Sequence, residues 1–433
     1  MLVSEIKNHR CRMLKAVILI GGPQKGTRFR PLSFDFPKPL FPVAGFPVLQ
    51  HLIEACCVVP DMMEILLIGF YPADQIASFV QFMSRECSLP IRYLQEFTPL
   101  GTAGGVYHFR DQIRSGGPDT FLLVNGDVCG DFPLEDLVKF HLSRPKTNLI
   151  TVLGTEAARS QSVNYGCLAV QQDSGEILHY VEKPSTFVSS IINCGVYACC
   201  PEIFVYLGRV YNSKQATPRY GVGSGDDAET ISLEFDVLTK LAGGAQKCHV
   251  FQTERFWTQI KTAGSAIYAN RHYLEMYRNR KNPRLASHTT DGPKIIGDAY
   301  IDPTATVHPT AVIGPNVSIS QNVTVGRGVR ICESIILGNA TIGDHSLVKN
   351  SIVGWNSDIG SWSRVEGTPC DPNPNKPFSK MDNVPLFNNA GRLNPSITVL
   401  GCNVSVPSET VVINSIVLPH KDLNQSYKNE IIL

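Results

Sequence analysis

The sequence lacks several features that would assign it to a specialised class of protein. No run of about 18 apolar residues occurs, which argues against a membrane-spanning helix. The 39 lysines and arginines nearly balance the 38 aspartates and glutamates, so the net charge of +1 gives no reason to expect nucleic-acid or membrane-surface binding. Residues 1–12 are polar and basic without an apolar core, so we do not expect a secretory signal there.

Metal-binding and disulfide patterns are also missing, although the chain has thirteen cysteines. No Cys-x-x-Cys occurs, and the cysteines are scattered, with adjacent pairs at Cys56-Cys57 and Cys199-Cys200. This distribution favours small, buried thiols in a reducing compartment. We therefore predict a cytoplasmic protein.

A length of 433 residues is too great for one ordinary hydrophobic core, so two domains are expected. Strand and helix patterns alternate from Ala16 to about Gln259, which predicts an α/β, Rossmann-like doubly wound domain over residues 13–263. Its apolar strands are predicted at residues 17–20, 65–68, 91–94 and 121–124, with a helix at 48–57. A helix is predicted at 262–280, with basic residues in its last turn and Pro283 as the stop that follows it. The helical linker between the domains is assigned to 264–284.

The remaining residues, 285–433, carry aliphatic side chains at intervals of six. The unbroken series is followed by one-residue slips and a late return: Ile295, Ile301, Val307, Ile313, Ile319, Val325, Ile331; Ile336, Ile342, Val348; Val353, Ile359, Val365; Leu400, Val406, Val412, Leu418. Hexapeptide repeats of this kind predict a left-handed parallel β-helix. Such a domain offers flat sides for self-association or for binding another subunit.

One segment of this domain, residues 366–396, has no hexad. Long connections in regular folds are uncommon and often functional, so we expect this one to project onto a partner subunit; a slack surface loop is the alternative. β-helices also occur in acyltransferases that use a histidine base. His308, His345 and His420 are candidates for that role, but none has an obvious acidic partner in the sequence.

A glycine-rich turn follows the first predicted strand. Gly21, Gly22 and Gly26 allow backbone N–H groups to approach phosphate oxygens, and Arg28 and Lys38 add positive charge. The two prolines flanking Lys38 predict a stiff, extended segment. The turn is neither a Walker A loop nor a Gly-x-Gly-x-x-Gly dinucleotide motif. A triphosphate or a diphospho-sugar is the expected ligand.

With the following Pro-Lys-Pro, this stretch resembles the signature of the sugar-nucleotide pyrophosphorylases. The resemblance extends from about Met13 to Leu433, and the whole chain looks like the regulatory relatives of mannose-1-phosphate guanylyltransferase. It implies a nucleotide-sugar site on the first domain, with a loop that closes over the nucleotide phosphates.

Two further loops follow predicted strands. In the first, Gly101 allows close approach of a ligand, and Glu96 could accept hydrogen bonds from both N1–H and the 2-amino group of guanine. A solvated glutamate is the alternative, and Gln95 is a rival for the same role. In the second, Asn125 and Asp127 flank a glycine. Asp127 suits Mg²⁺, as in the family, or could cap the next helix.

The resemblance implies roles for further residues. Glu182 and Asn193 would bind sugar hydroxyls, and Lys183 would bind a phosphate. Gln259 occupies the position at which catalytic relatives carry the aspartate that is their second metal ligand. A neutral amide is a poorer Mg²⁺ ligand than a carboxylate, although it can still form hydrogen bonds.

Two more departures from the catalytic pattern occur in the opening signature. Pro23-Gln24-Lys25 is two residues longer than the family's spacer, and Phe46 replaces a lysine. Misplacement of phosphate-binding groups by about 1 Å can cost two orders of magnitude in rate. Asp127 is the one expected Mg²⁺ ligand that remains, so the metal site is incomplete. Mg²⁺ could still bind there, but we do not expect the protein to require a cofactor.

The sequence therefore predicts a catalytically impaired regulatory subunit. It would bind GDP-mannose in a degenerate active site and feedback-inhibit a catalytic mannose-1-phosphate guanylyltransferase subunit. The alternatives are an active guanylyltransferase, which would convert GTP and mannose-1-phosphate to GDP-mannose, and a scaffold with a vestigial pocket.

Overall fold

A computed structural model describes residues 13–23, 26–216, 230–288, 291–382 and 385–433. The described residues form two compact units. The first unit contains the residues up to Gly22 together with Leu52–Arg255, and the second contains Pro23–His51 and Phe256–Leu433. Among the helices of these ranges, none has both the length and the apolar content needed to cross a bilayer. The expectation for residues 1–12 and the inserted Gln24 and Lys25 lie outside the described residues.

The chain alternates strands and helices up to residue 279. The α-helices of the described residues are α1 (Val48–Cys57), α2 (Ala73–Glu86), α3 (Thr102–His108), α4 (Arg110–Arg114), α5 (Leu134–Ser143), α6 (Arg159–Ser162), α7 (Ile203–Ala216), α8 (Thr239–Leu241) and α9 (Ala263–Asn279), and a π-helix spans Leu233–Leu238. The strands of this part are β1 (Leu14–Gly21), β2 (Pro42–Val43), β3 (Phe46–Pro47), β4 (Met62–Gly69), β5 (Ile91–Gln95), β6 (Thr120–Asn125), β7 (Val128–Gly130), β8 (Asn148–Glu156), β9 (Gly166–Val170), β10 (Ile177–Glu182), β11 (Ile191–Cys199), β12 (Lys247–Gln252) and β13 (Trp257–Gln259).

The core of the first unit is a nine-stranded sheet. Strands β6, β1, β4 and β5 pair in parallel, and β11 joins them antiparallel through β6. The remaining members, β8, β9, β10 and β12, extend the sheet beyond β11. The predicted α/β fold is confirmed, and the four predicted apolar runs lie inside β1, β4, β5 and β6. These runs form strands because both faces of a central parallel strand are buried, as the complete burial of Ile18 and Leu66 illustrates.

The second unit contains a parallel β-helix with three sheets of seven, seven and five strands. Each of the first five coils contributes one strand to every sheet, and the last two coils contribute to two sheets only. Its strands are β14 (Lys294–Ile295), β15 (Ala299–Ile301), β16 (Thr306–Val307), β17 (Val312–Ile313), β18 (Val317–Ile319), β19 (Thr324–Val325), β20 (Arg330–Cys332), β21 (Ile335–Ile336), β22 (Thr341–Ile342), β23 (Leu347–Lys349), β24 (Ser351–Val353), β25 (Asp358–Ile359), β26 (Arg364–Glu366), β27 (Thr398–Leu400), β28 (Ser405–Val406), β29 (Val411–Ile413), β30 (Ile416–Val417), β31 (Tyr427–Lys428) and β32 (Ile431–Ile432). All pairs within the three sheets are parallel, as the hexads predict, and the arrangement is consistent with a left-handed β-helix.

The aliphatic ladder fills the centre of the coils. Ile313, Ile342 and Ile359 are completely buried, whereas the first coil is partly exposed at its open end. One position of the predicted series is wrong. Val417, not Leu418, pairs with Leu400 and is completely buried. The corner between the first two strands of a coil is one residue shorter here, as it also is after Ile331 and Val348.

Helix α9 begins and ends where the sequence predicts. Thr262 is its N-cap, with the reciprocal hydrogen bonds of a capping box to Ser265, and Arg280 is its C-cap. The helix lies in the second unit together with the hairpin β2–β3. The two central residues of that hairpin, Ala44 and Gly45, have φ of 49° and 87°, the positive values that a type I′ turn requires.

Candidate functional site

The carboxyl ends of the parallel strands place several predicted residues along one edge of the first unit's sheet. Register pairs Leu19 with Asn125 and Gly21 with Gly69, and Gly69 in turn pairs with Gln95. The N–H of Phe70 donates to Gly21 O at 2.7 Å, which continues the pairing past the strand ends. This edge is where a doubly wound sheet binds its ligands.

Glu96 lies on this edge, immediately after β5. Its N–H donates to Gly69 O at 2.7 Å, and its carboxylate lies against the Cα of Gly105 so closely that a side chain at 105 would collide with it. The absent Cβ therefore lets the carboxylate lie against α3. Gln95 is the last residue of β5 and is half-buried. The choice between Glu96 and Gln95 as the guanine ligand stays a prediction.

The loop that carries Gly101 is held by a segment that the sequence did not single out. Gly101 has φ of 80° and packs on the backbone of Ile231, to whose carbonyl the Ala103 N–H donates at 2.9 Å. The Thr102 hydroxyl donates to Glu234 at 2.9 Å and accepts from the Leu233 N–H at 2.8 Å. No local motif around residue 231 predicts this contact, because residues 101–103 and 231–234 are far apart in the sequence.

Asn125 and Asp127 lie at the turn between β6 and β7. Asn125 packs against the Cα of Gly195, where a Cβ would lie 2.7 Å from its amide nitrogen. Asp127 occupies a two-residue turn that leads into a strand, so the alternative of a helix cap is wrong; the next helix, α5, has Pro133 as its N-cap. Mg²⁺ binding by Asp127 stays a prediction.

Glu182, Lys183 and Asn193 belong to one hydrogen-bonded cluster. Glu182 Oε2 accepts from the Tyr180 hydroxyl at 2.7 Å, and Glu182 Oε1 forms an ion pair of 3.1 Å with Lys183 Nζ. Asn193 Nδ2 donates to the hydroxyls of Tyr180 and Tyr197, at 3.3 and 2.8 Å. The structure thus brings together three residues that the sequence assigned separately, and it adds two tyrosines.

The cluster differs in accessibility from one end to the other. Burial raises the pKa of Tyr180 and of Tyr197 well above the usual range of a tyrosine, so both phenols remain protonated. Asn193 is buried, and its Oδ1 accepts from the Gly195 N–H at 2.8 Å. Lys183 is largely exposed, and its φ of 45° turns the chain there. The buried asparagine therefore holds the cluster in place. The Lys183 side chain faces outward, whereas the Glu182 side chain is only 11% exposed.

The basic residues of the opening signature lie in the second unit. Arg28 is exposed on a 3₁₀ turn, Thr27–Phe29, that follows Gly26. The expectation of an extended segment around Lys38 is wrong: Lys38–Leu40 form a second 3₁₀ turn, closed by Phe41 N–H donating to Lys38 O at 3.1 Å. Proline permits this because its fixed φ also suits the first residues of a helical turn.

Phe46, which replaces a lysine of the family pattern, has a packing role. The guanidinium of Arg284 lies 3.9 Å from the centre of the Phe46 ring, and the Tyr300 ring meets Phe46 edge-on at 5.3 Å. A lysine here would place a second cation beside Arg284. The departure is therefore accommodated by a cation–π contact within the second unit.

Gln259 ends β13 with its carboxamide oxygen buried. Among the described residues, no donor reaches Oε1. An unpartnered buried acceptor is unfavourable in the free protein, so it is available to a ligand donor. Because the Gln259 side chain is neutral, it stabilises a bound cation much less than the carboxylate of the family pattern would.

The segment without hexads, Glu366–Ser396, leaves the β-helix at one corner. Its first residues are anchored to helix α9, since Asp371 forms a 2.9 Å ion pair with Arg271 of that helix. Arg271 also forms a 2.9 Å ion pair with Glu333. Farther along, three apolar side chains are each about half exposed: Phe378, Leu386 and Phe387. The segment thus combines a charged, anchored base with an apolar outer part.

Comparisons with known proteins give the following relationships. Residues 15–222 match the nucleotidyl transferase family, and residues 295–432 match the GMPPB C-terminal domain family. The mannose-1-phosphate guanylyltransferase regulatory subunit alpha-B of Danio rerio is 58% identical over 424 residues, covering 97% of this chain and 100% of that protein. The regulatory subunit alpha of Sus scrofa is 57% identical with the same coverage. A putative glucose-1-phosphate thymidylyltransferase from Bacillus anthracis aligns with a TM-score of 0.46 and 20% identity, over 59% of this chain and 94% of that one.

Proposed function

This chain belongs to the family of mannose-1-phosphate guanylyltransferase regulatory subunits alpha, and on that basis we propose that it binds GDP-mannose and thereby restrains a catalytic guanylyltransferase partner. The restraint is product feedback. When GDP-mannose is abundant, the bound form of this subunit lowers the activity of the catalytic one, with a coupling free energy of typically about 1–3 kcal/mol.

The state of Gln259 is the observation that carries this proposal. A buried amide oxygen with no donor among the described residues suits a ligand hydroxyl, whereas the chemistry of guanylyl transfer calls for a carboxylate at this position to hold a cation. Charge neutralisation by that cation is worth several kcal/mol, or several decades in rate. The site therefore retains binding capacity and loses catalytic capacity.

The sequence motifs assign further residues to GDP-mannose. Glu96 offers guanine a carboxylate that can accept two hydrogen bonds, and the exposed Lys183 offers a cation to the diphosphate. One carboxylate oxygen of Glu182 accepts from the Tyr180 hydroxyl, and the other pairs with Lys183. The remaining lone pairs of these oxygens can accept hydrogen bonds from sugar hydroxyls. Asp127 is a carboxylate suited to Mg²⁺, but a single one makes an incomplete site, so we assign no step to a metal.

The catalytic partner is proposed to contact the segment 366–396. Its exposed Phe378, Leu386 and Phe387 give an apolar surface, and the Arg271–Asp371 pair fixes its base. The flat sheets of the β-helix are proposed to serve self-association. We place the assembly in the cytoplasm, in line with reduced thiols such as Cys199 and Cys248, which are buried as small apolar groups.

Calorimetric titration of the purified chain tests the ligand. We expect GDP-mannose to bind, GDP-glucose to bind comparably or more weakly, and UDP-glucose to fail, because uracil lacks the paired donors of guanine. Glu96→Ala and Gln259→Ala should each weaken GDP-mannose binding and relieve inhibition of the partner. Unchanged affinity in both variants would remove this site. Efficient synthesis of GDP-mannose from GTP and mannose-1-phosphate by the chain alone would favour the active-enzyme alternative.

The structure defines a clean deletion for testing the loop. Gly367 lies directly against Thr398, and the register matches Lys349 with Glu366 and Ser351 with Thr398. Joining Gly367 to Thr398 therefore restores a corner of normal length. We expect this deletion to keep the fold and the GDP-mannose affinity while abolishing inhibition of the catalytic subunit. Full inhibition by the deleted protein would assign regulation to another surface.

A further inference from the structure

We propose that Asp35, Cys402 and His420 form a Zn²⁺ site on the second unit. The three side chains offer a carboxylate oxygen, a sulfur and an imidazole nitrogen, and these ligand atoms all lie within 4.8 Å of one another. Asp35 Oδ2 is 2.9 Å from Cys402 Sγ. Zn²⁺ binds these three donor types at about 2.0–2.3 Å, and three protein ligands with one water complete a tetrahedron.

The β-helix places two of the ligands. Cys402 and His420 lie on successive coils, and the His420 N–H donates to Cys402 O at 2.9 Å. His420 has φ of 59° and occupies the corner position held by Asn403 one coil earlier and by Asn356 one coil before that. Their side chains are therefore brought together by backbone register.

The third ligand comes from a remote part of the sequence that is packed on the same coils. Phe36, the neighbour of Asp35, contacts the Trp355 ring with centroids 4.6 Å apart, and Phe41 meets the same ring edge-on at 6.1 Å. These aromatic contacts hold the segment beside the β-helix. They supply the acidic partner that no local pattern around His420 provides.

A second group is positioned to orient the imidazole. Asn403 Nδ2 lies 3.3 Å from His420 Nδ1 and donates to it in the metal-free chain. A flip of the carboxamide would bring its oxygen to the same place, where it would accept from Nδ1–H and leave the lone pair of Nε2 for a metal. A histidine that binds a metal usually donates its other N–H to such an oxygen.

The donor set selects the class of metal. Thiolate and imidazole suit Zn²⁺, whereas Mg²⁺ prefers oxygen ligands and keeps several waters. The thiolate is the form of cysteine that binds a metal, so Zn²⁺ binding would release the Cys402 thiol proton to solvent. Asp35 and His420 are exposed, so a cation can enter.

A bound Zn²⁺ would tie the segment between Arg28 and Lys38 to the β-helix. Both of these basic residues belong to the predicted phosphate-binding signature, and both lie in the second unit with the site. The ion would thus have a structural role, which sets the position of the segment. This inference does not depend on GDP-mannose being the ligand of the protein.

Metal titration of the full chain, first stripped with a chelator, tests the site. We expect one Zn²⁺ per chain, a rise in melting temperature on Zn²⁺ addition, and no such rise with Mg²⁺. Co²⁺ should give a thiolate-to-metal charge-transfer band that Cys402→Ser abolishes. Cys402→Ser, His420→Gln and Asp35→Asn should each weaken Zn²⁺ binding by at least about tenfold, since even loss of an outer-shell partner costs that much.

Cys332→Ser and His345→Gln are matched controls, because both residues lie on other coils of the same β-helix. They should leave the Zn²⁺ affinity and the Co²⁺ band unchanged. Near-ultraviolet circular dichroism of each variant verifies its fold. The proposal is overturned if the stripped chain takes up no Zn²⁺, or if the three ligand variants, folded, bind it as tightly as the original chain.

Discussion

The side chain of Asn270 accepts a hydrogen bond from the Ala44 N–H at 2.8 Å, across 226 positions of sequence. Its Nδ2 donates to Asn316 O at 3.1 Å. A single completely buried amide of α9 therefore connects the β2–β3 turn with the β-helix, all within the second unit. Ala44 has φ of 49°, a conformation that is unfavourable for alanine, so this hydrogen bond helps to hold the turn.

Asn270→Leu should destabilise the second unit. The substitution keeps the volume roughly constant but leaves the Ala44 N–H and the Asn316 carbonyl without this partner, at about 1–3 kcal/mol per buried group. Urea unfolding followed by circular dichroism measures the change. Asn279→Leu is the matched control, because Asn279 is exposed on the same helix and its replacement should alter the free energy of unfolding by less than about 0.5 kcal/mol. Equal effects of the two variants would contradict the prediction.

Gln259→Met should change stability and ligand binding in opposite directions. Removing an unpartnered buried oxygen should raise the free energy of unfolding of the ligand-free protein by about 1 kcal/mol. The same change should weaken GDP-mannose binding, because the ligand loses its acceptor. Thermal unfolding and calorimetry measure the two effects. Gln75→Met, at an exposed position of α2, should alter neither, and a loss of stability in Gln259→Met would mean that the oxygen already has a partner.

Val417→Ala should cost more stability than Leu418→Ala, although valine is the smaller side chain. Val417 is completely buried against Leu400, so its truncation removes about 1.6 kcal/mol of transfer free energy and leaves a cavity. Leu418 is half-buried, and its truncation should cost about 1 kcal/mol. The urea midpoints of the two variants distinguish the observed register from an uninterrupted hexad. A larger loss of stability in Leu418→Ala than in Val417→Ala would support the uninterrupted hexad instead.

Stability should fall between about pH 6.5 and pH 4 because of a buried histidine in the first unit. His141 Nδ1 contacts the Thr151 hydroxyl at 2.8 Å and the Asn148 amide at 3.2 Å. Burial, reinforced by His249, lowers the pKa of His141 from 6.5 to about 4. The unfolded chain therefore binds a proton before the folded chain does, so the stabilisation is complete above pH 6.5 and is lost as the pH falls, by about 3 kcal/mol at most.

Urea unfolding at pH 7.5, 6, 5 and 4 measures this dependence. His141→Gln should be less stable at pH 7.5 and should show a smaller pH slope. His179→Gln, at an exposed position of β10, should keep the slope of the original chain. An unchanged slope in His141→Gln would assign the acid sensitivity to other groups.

Local pattern was sufficient for most of the fold. Predicted strands at β1, β4, β5 and β6 and the limits of α1 and α9 depend on hydrophobic period and caps, which are properties of neighbouring residues. The misplaced Leu418 shows the limit of that approach. A one-residue slip at a coil corner changes which neighbour is buried, and only pairing with Leu400 in the next coil reveals it.

The candidate site was predictable as a list of residues but not as a set of contacts. Glu182, Lys183 and Asn193 come from motifs, whereas their links through Tyr180 and Tyr197 depend on the pairing of β9, β10 and β11. The contacts of Glu234 with Thr102 and of Asp35 with His420 likewise could not be predicted from local sequence. Each contact joins segments whose separation in sequence carries no local signal.

The shortened corners of the β-helix have a practical consequence. Gly367 and Thr398 occupy places that Asn350 and Ser351 hold one coil earlier, so residues 368–397 are an insert with matching ends. The insert could be transplanted between Asn350 and Ser351, which would shift its attachment by one strand spacing, about 4.8 Å, along the axis. Loss of inhibition after such a move would show that the insert must contact its partner from one position along the β-helix axis, defined to within one strand spacing.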